Sequence, residues 1–228
     1  MDVARFGDWI TPGYTRPKVI ENYQKRFSVA YPTEELPAAR PNRTTPMYDI
    51  FSDLGAVWGQ QYGLEVPNYF AQEDEPGYET PSFRRSDAFE ATGREVRAVR
   101  EGVGINAVHN FGKYLITGPR ARDWLDRIMA GRIPAPGRLS LTPRLSPKGK
   151  LIGDFTVSCL AEEEFQLTAS YGAQNFHMRW FRQHHQDGVT VENISDKRNG
   201  FQIAGPKARE VLAACPRADI SDMRFMDV

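Results

Sequence analysis

An aspartate inside an apolar strand is the residue of this sequence best suited to chemistry. Asp154 lies in the segment LIGDFTV, between Gly153 and Phe155. A carboxylate that an apolar strand withdraws from water must be hydrogen-bonded or paired, and such an environment fits it for proton transfer or for holding a cationic intermediate. Gly153 would let a planar ligand approach the backbone closely. The pattern equally allows a second interpretation, in which Asp154 marks an edge strand and faces water.

Histidines offer a second possible site. His177 and His184 are seven residues apart on a predicted helix, so they share a face and, with Asp187, could hold the metal ion of a hydrolase. Metal enzymes usually show tighter motifs such as HExxH, which this sequence lacks. We therefore predict no metal site and interpret the histidines as part of a surface helix. We interpret His109 as a satisfied core or loop histidine.

The composition excludes several classes of protein. The chain has 228 residues, and its 29 Lys and Arg balance its 29 Asp and Glu, which argues against a nucleic-acid partner. Its cysteines, Cys159 and Cys215, are too few for a disulfide scaffold, and Cys159 alternates with Val157 as a core residue would. No apolar run approaches the roughly 20 residues that span a bilayer, and the first twenty residues do not read as a signal peptide. We expect a cytoplasmic protein without a membrane partner.

A repeat predicts the architecture. The segments KYLITGPRARDWLDRIM (113–129) and GFQIAGPKAREVLAAC (200–215) each read as a short strand, a Gly-Pro and an amphipathic helix, 87 residues apart. Two strand–helix units of this kind predict an α+β fold of layered antiparallel sheets with packed helices. The predicted buried stripes are Ala121, Trp124, Leu125, Ile128 and Met129 in the first copy, and Ala208, Val211, Leu212 and Cys215 in the second.

Helix-breaking prolines and the periodic spacing of apolar residues predict the other elements. Prolines punctuate residues 1–40 and leave room for one short amphipathic helix between Pro17 and Pro32, followed by an extended connector. We place a domain boundary there, with a connector over 1–40 and a folded domain over 41–228. Within that domain we predict a helix ending at Gly55, helices near 89–102 and 175–185, and an antiparallel meander over 137–170.

Several segments, taken in order, resemble a known family. RTTPMYDIFSDLGAVWGQQYGLEVPNYF, SFRRSDAF, REVRAVREGVGINAVHNFGKYLITGPRA and GKLIGDFTV are similar to the folate-binding region of dimethylglycine and sarcosine dehydrogenases, which are FAD-dependent oxidoreductases. That C-terminal region is related to the glycine-cleavage T-protein, an aminomethyltransferase. The first forty residues resemble the segment that joins its flavin domain to the folate domain. The chain departs from the family pattern at Tyr69, where tryptophan is usual, and at Ala107, where an acidic residue is often found.

The resemblance implies a fold and a site. It implies the aminomethyltransferase folate-binding fold, truncated at the C-terminus. Asp154 matches the catalytic aspartate of the family, and Gly153 and Phe155 match its neighbours in the pterin pocket. Phe111 and Ser140 fall on strands that line that pocket in the family.

The resemblance also implies a function and partners. The function is capture of an N-methyl-derived one-carbon unit as 5,10-methylenetetrahydrofolate, with tetrahydrofolate as cofactor and an N-methylated amine-derived intermediate as substrate. FAD would belong to an N-terminal domain that is missing from this chain, so we expect a fragment of a longer enzyme or a partner of a separate flavin-domain polypeptide. The alternative is a non-catalytic folate-fold binding or assembly module, inactive alone because the flavin domain and a C-terminal subdomain are absent.

Overall fold

The computed structural model of the chain describes residues 7–215 and 219–228, which form two compact units. We call residues 110–200 and 219–228 the five-stranded unit, and residues 7–109 and 201–215 the hairpin unit. The helices of the described residues are α1 (Pro12–Gln24), α2 (Tyr48–Asp53), α3 (Ala88–Glu101), α4 (Ala121–Ile128), α5 (Gln174–Gln183) and α6 (Ala208–Ala213). The strands are β1 (Ala56–Gln61), β2 (Leu64–Phe70), β3 (Gly104–Ala107), β4 (Phe111–Thr117), β5 (Leu139–Leu145), β6 (Leu151–Ala161), β7 (Glu164–Ser170), β8 (Thr190–Asn193) and β9 (Phe201–Ala204). Among these residues, no helix has both the length and the apolar character that crossing a membrane requires.

One antiparallel sheet forms the five-stranded unit, with its strands in the order β5-β6-β7-β4-β8. The predicted meander is confirmed, since β5, β6 and β7 are neighbours in chain order. Gly149 turns the chain between β5 and β6 at a φ of 72°, a conformation that glycine adopts without strain. The mixture of helices with antiparallel sheets confirms the predicted α+β class.

One face of this sheet carries the core. Along β6, Phe155, Val157 and Cys159 are buried, because alternate residues of a strand point to the same face. The helices α4 and α5 cover that face, and the rings of Trp124 and Phe181 lie 5.8 Å apart within the same cluster. The predicted core positions of Cys159 and of the first repeat's stripe are therefore confirmed.

Two separate two-stranded sheets belong to the hairpin unit, β1 with β2 and β3 with β9. Val57 and Tyr69 are paired across the first of them and pack with Ala91 of α3. The helices predicted before Gly55 and near residues 89–102 are confirmed as α2 and α3. The interpretation of His109 as a core or loop histidine is also confirmed, because its buried ring lies against Phe201 at 5.0 Å.

The two copies of the repeat have the same backbone conformation at the glycine of their Gly-Pro dipeptides. Gly118 and Gly205 have φ angles of 122° and 121°, and each precedes a helix whose first residue donates to its carbonyl. A side chain at either glycine would collide with a backbone oxygen, that of Gly188 at 2.3 Å or that of Gly102 at 2.4 Å. The glycine is therefore required by both conformation and space.

The prediction for the second buried stripe is wrong. In α4 the stripe is buried, whereas α6 exposes Val211 and is followed by an exposed Cys215. Ala208 and Leu212 are only half-buried. The pattern of apolar residues is the same in both copies. Within residues 7–215 and 219–228, however, β9 pairs only with the four residues of β3, so it supplies no broad sheet against which α6 could pack.

The helix α1 begins and ends earlier in the chain than predicted, and it packs differently. It begins at Pro12, capped by Thr11, and contains Pro17, so the proline that we expected to precede the helix lies inside it. Its apolar residues near Val19 are exposed, whereas a polar stripe makes its contacts. The hydroxyl of Tyr14 donates to Gln60 at 2.8 Å, and Glu21 accepts from the backbone of residue 38 at 3.0 Å. Hydrogen bonds thus anchor α1 to the hairpin unit.

The repeat provides a matched test of packing. Leu125 and Leu212 occupy the same position in the two copies, and Leu125 is fully buried whereas Leu212 is half-buried. We expect Leu125→Ala to lower the free energy of unfolding by about 2–5 kcal/mol, since it leaves a cavity in the core. Leu212→Ala should cost less than about 1.5 kcal/mol, since that side chain has little packing to lose. Urea denaturation followed by circular dichroism measures both; equal losses would contradict the difference in burial.

Candidate functional site

Asp154 lies on the face of the sheet opposite the core, which we call the open face. Its neighbours Gly153 and Phe155 point to the core face, whereas the side chain of Asp154 is exposed. The second interpretation of this residue, a carboxylate that faces water, therefore describes its position in this chain. A carboxylate so placed is accessible to a ligand that approaches the open face.

The open face presents hydroxyl groups beside Asp154. The register aligns Thr156 of β6, Thr168 of β7 and Lys113 of β4 in one row, with Leu141 of β5 at its end. Asp154 lies two residues from Thr156, so it belongs to the next row of the same face. The neighbourhood of the carboxylate thus offers hydrogen-bonding groups and an exposed apolar side chain, since Leu141 is 69% exposed.

Phe111 shares the open face with Asp154. It is paired with Ser170 of β7, and its ring is 41% exposed. Because β7 lies between β4 and β6, the strands that carry Phe111 and Asp154 are about 10 Å apart. The two residues therefore border a strip of the open face that is wide enough for a flat bicyclic ring.

The three other predicted site residues lie on the core face. Phe155 is only 1% exposed, and the hydroxyl of Ser140 donates to the carbonyl of Arg132 at 3.2 Å. A side chain on Gly153 would come within 3.2 Å of Nε2 of His177, which also belongs to the core side. The fold brings Phe111 and Asp154 to one face and does not bring Ser140, Gly153 or Phe155 to it.

Lys113 lies on the open face and was not among the residues predicted from the sequence. This lysine is buried, its ammonium donates to the carbonyl of Phe111 at 3.0 Å, and its backbone N–H donates to the hydroxyl of Ser195 at 2.9 Å. Burial lowers the pKa of Lys113, although the charge of Asp196 acts in the opposite direction. The signal was present in the segment FGKYLIT, because Lys113 is in phase with Phe111 and a period of two puts both on one face.

The prediction that the histidines belong to a surface helix is wrong for His177. Its ring is 1% exposed, and its Nδ1 is hydrogen-bonded to the hydroxyl of Tyr114 at 3.1 Å. His184 instead stacks on Trp180, and its Nδ1 lies 3.0 Å from the Trp180 carbonyl. Within residues 7–215 and 219–228, no three His, Cys, Asp or Glu side chains are grouped so that they could hold a metal ion.

A polar group lies inside the core below β6. It consists of Tyr114, His177 and Arg144, all of them buried. Burial lowers the pKa of His177 to about 4, and the positive charge of Arg144 adds to the effect. Burial also raises the pKa of Tyr114 and lowers that of Arg144 to about 10. At neutral pH the group is therefore a neutral phenol, a neutral imidazole and a charged guanidinium.

Comparison with known families identifies the fold. Residues 47–228 match the GCVT N-terminal domain, which is most of the chain. The chain belongs to the GCVT N-terminal domain family. Residues 1–45 match the FAD dependent oxidoreductase central domain. The two matches confirm the resemblance to the folate-binding region of flavin-dependent dehydrogenases.

Individual relatives agree with the family. The chain is 33% identical to human "Dimethylglycine dehydrogenase, mitochondrial" over 99% of its own length and 26% of that protein. It is 24% identical to the aminomethyltransferase of Natranaerobius thermophilus over 80% of its length and 46% of that enzyme. It therefore spans about a quarter of the dimethylglycine dehydrogenases that it matches.

A solved structure has the same fold. The glycine cleavage system aminomethyltransferase T from Bartonella henselae superposes with a TM-score of 0.67 at 19% identity. The match covers 81% of this chain and 46% of that one. The predicted aminomethyltransferase fold is thereby confirmed for the part of the T-protein that the chain matches.

Acid should lower the stability of the folded chain through His177. Its pKa is about 4 in the folded chain and 6.5 ordinarily, so between these values the unfolded chain binds more protons. The contribution of His177 to stability is complete above pH 6.5, declines as the pH falls, and is lost below pH 4, a change of about 3 kcal/mol. Urea denaturation between pH 4 and 7 measures it.

The variant His177→Gln is the control for this prediction. Glutamine does not titrate and can still hydrogen-bond with Tyr114. The difference in stability between wild type and the variant should shrink as the pH falls from 7 to 4. A difference that stays constant with pH would show that His177 does not titrate in the expected range.

Proposed function

We propose that this chain is the tetrahydrofolate-binding, one-carbon transfer module of an enzyme similar to dimethylglycine or sarcosine dehydrogenase. In this proposal it captures an N-methyl-derived one-carbon unit as 5,10-methylenetetrahydrofolate. The observation that carries the proposal is the exposed carboxylate of Asp154 on the open face of a GCVT-family sheet. We also propose that residues 1–40 are a connector and residues 41–228 the folate-binding domain; residues 1–6 of the connector lie outside the described residues.

The open face has the groups that a reduced folate needs. The exposed ring of Phe111 can stack on the flat face of a pterin, and the strip between it and Asp154 is about 10 Å wide. The hydroxyls of Thr156 and Thr168 supply polar partners along the next row. Ser140, Gly153 and Phe155 lie on the core face, so in this proposal they hold the backbone that carries Asp154 and do not touch the ring.

Asp154 has two roles in the proposed reaction. Bound tetrahydrofolate supplies the nucleophilic nitrogen atoms that take up the one-carbon unit. The Asp154 carboxylate stabilises the cationic one-carbon donor and accepts the proton that is lost as the first carbon–nitrogen bond forms. It passes this proton to the amine of the donor, which leaves as its bond to the carbon breaks, and it accepts the second proton as the second carbon–nitrogen bond closes. Lys113 points its ammonium at the carbonyl of Phe111, which fixes the strand end that carries the stacking ring.

A flavin domain is the proposed partner. The match of residues 1–45 to the FAD dependent oxidoreductase central domain supports such a domain, on the same chain or on a separate polypeptide. That domain would oxidise the N-methyl group before transfer. The residues of this chain then receive the oxidised one-carbon unit and take no part in its oxidation.

The variant Asp154→Asn tests the proposal. It keeps the size and one acceptor but removes the charge, so folding should be unchanged. We expect wild type to bind tetrahydrofolate in calorimetric titrations and to accelerate its condensation with formaldehyde above the uncatalysed rate. The variant should lose roughly 100-fold or more of that acceleration, whereas its affinity should change by less than about tenfold, because the charge matters most as the cation reacts.

Glu164→Gln is the matched control. Glu164 lies at the far end of the open face, paired with Thr117, and undergoes the same change from carboxylate to amide. We expect this variant to behave as wild type. Folate binding without any acceleration in wild type would favour the non-catalytic module, and full activity in Asp154→Asn would remove Asp154 from the mechanism.

A further inference from the structure

Arg144 is a buried cation without a hydrogen-bond partner. The side chain is 0% exposed, and none of its three guanidinium nitrogens has a partner among the described residues. Removing a charged group from water is expensive unless hydrogen bonds or an opposite charge compensate for it. With a pKa of about 10, the guanidinium nevertheless remains charged at neutral pH.

Aromatic rings surround the guanidinium and leave its hydrogen-bond donors unused. Its central carbon lies 4.5 Å from the ring centre of Trp180, 4.9 Å from that of Phe176 and 6.0 Å from that of Phe155. Cation–π contacts of this kind contribute attraction through the ring faces. They provide no acceptor in the plane of the guanidinium, where its N–H groups point.

The neighbouring polar groups do not neutralise Arg144. The two titratable groups that interact with it, Tyr114 and His177, are neutral at pH 7, and burial holds each in that form. Asp154 follows Gly153, the residue of β6 that pairs with Arg144. Its side chain, however, lies on the open face. Among the residues that the structure describes, no opposite charge on the core face therefore compensates that of Arg144.

We propose that Arg144 is the binding site for a carboxylate. A carboxylate is planar and singly charged, and it accepts two parallel hydrogen bonds from the fork of a guanidinium. A phosphate fits less well, because a bulkier and more strongly hydrated anion would have to enter an aromatic surrounding. Access requires one ring of α5 to turn outward, and Phe176 and Trp180 are both half-buried at the surface of that helix.

This site is separate from the proposed folate site. Arg144 and Asp154 lie on opposite faces of one sheet, so a group held by the guanidinium cannot also contact the Asp154 carboxylate. The inference therefore does not depend on the proposed function. The carboxylate could belong to a small free molecule or to an acidic side chain of a polypeptide, and the experiment distinguishes the two.

Thermal unfolding in the presence of defined anions tests the site. The probes are sodium acetate and the capped peptide N-acetyl-Gly-Glu-Gly-amide, each against sodium chloride at equal ionic strength. We expect a saturating carboxylate to raise the Tm of wild type by about 5 °C over chloride, because a ligand that binds only the folded state stabilises it. A response to acetate alone indicates a free molecule, and a response to the peptide indicates a protein side chain.

Arg144→Met and Arg144→Lys are the controls. In chloride, Arg144→Met should melt at or above the Tm of wild type, because an apolar side chain of similar length removes an uncompensated charge, and it should show no carboxylate-specific rise. Arg144→Lys keeps the charge without the fork and should show a smaller rise. The emission of Trp180 should change on binding in wild type and not in Arg144→Met, with Trp180→Phe identifying the signal. No carboxylate-specific rise in wild type, or an equal rise in Arg144→Met, would overturn the proposal.

Discussion

The one-sided burial of β6 determines most of what this protein presents to a ligand. Because α4 and α5 cover one face of the sheet, Phe155, Val157 and Cys159 must point inward, and the residues between them must point outward. A shift of one residue would bury Asp154 and expose Phe155, so the hydrophobic core itself holds the carboxylate on the open face. The position of the proposed catalytic group is thus stabilised by every core contact of the strand.

The same constraint explains why β5 directs polar residues into the core. The register pairs Thr142 with Phe155 and Arg144 with Gly153, so these polar residues of β5 must face the core. The outward positions are occupied by leucines and Pro143, and Leu141 is 69% exposed. The packing of Phe155, Val157 and Cys159 of β6 decides which face of this hairpin is buried, and Arg144 of β5 lies on that face. A buried cation beside aromatic rings is therefore a consequence of the register, and it creates a site with unused donors.

The architecture could be predicted from sequence, and Asp154 could be selected as a candidate, whereas the environment of each side chain could not be predicted. The Gly-Pro repeat predicted both strand–helix units, since Gly118 and Gly205 need the same backbone conformation. The repeat did not predict that α4 packs against a five-stranded sheet whereas α6 has no such sheet to cover. Likewise, the spacing of His177 and His184 indicated a shared helix face, but only the packing of α5 decided that His177 is buried against Tyr114.

The sequence by itself determined the class of elements, their order and the family to which 47–228 belong, because periodicity, glycine conformations and ordered motifs are local properties. The tertiary structure alone decided which strand face is buried and which charged side chains are removed from water. Asp154 and Arg144 illustrate the difference, since both are charged residues in apolar strands with similar surroundings in sequence. One is exposed and the other fully buried because α4 and α5 cover one face of the sheet, and no local pattern shows which face that is.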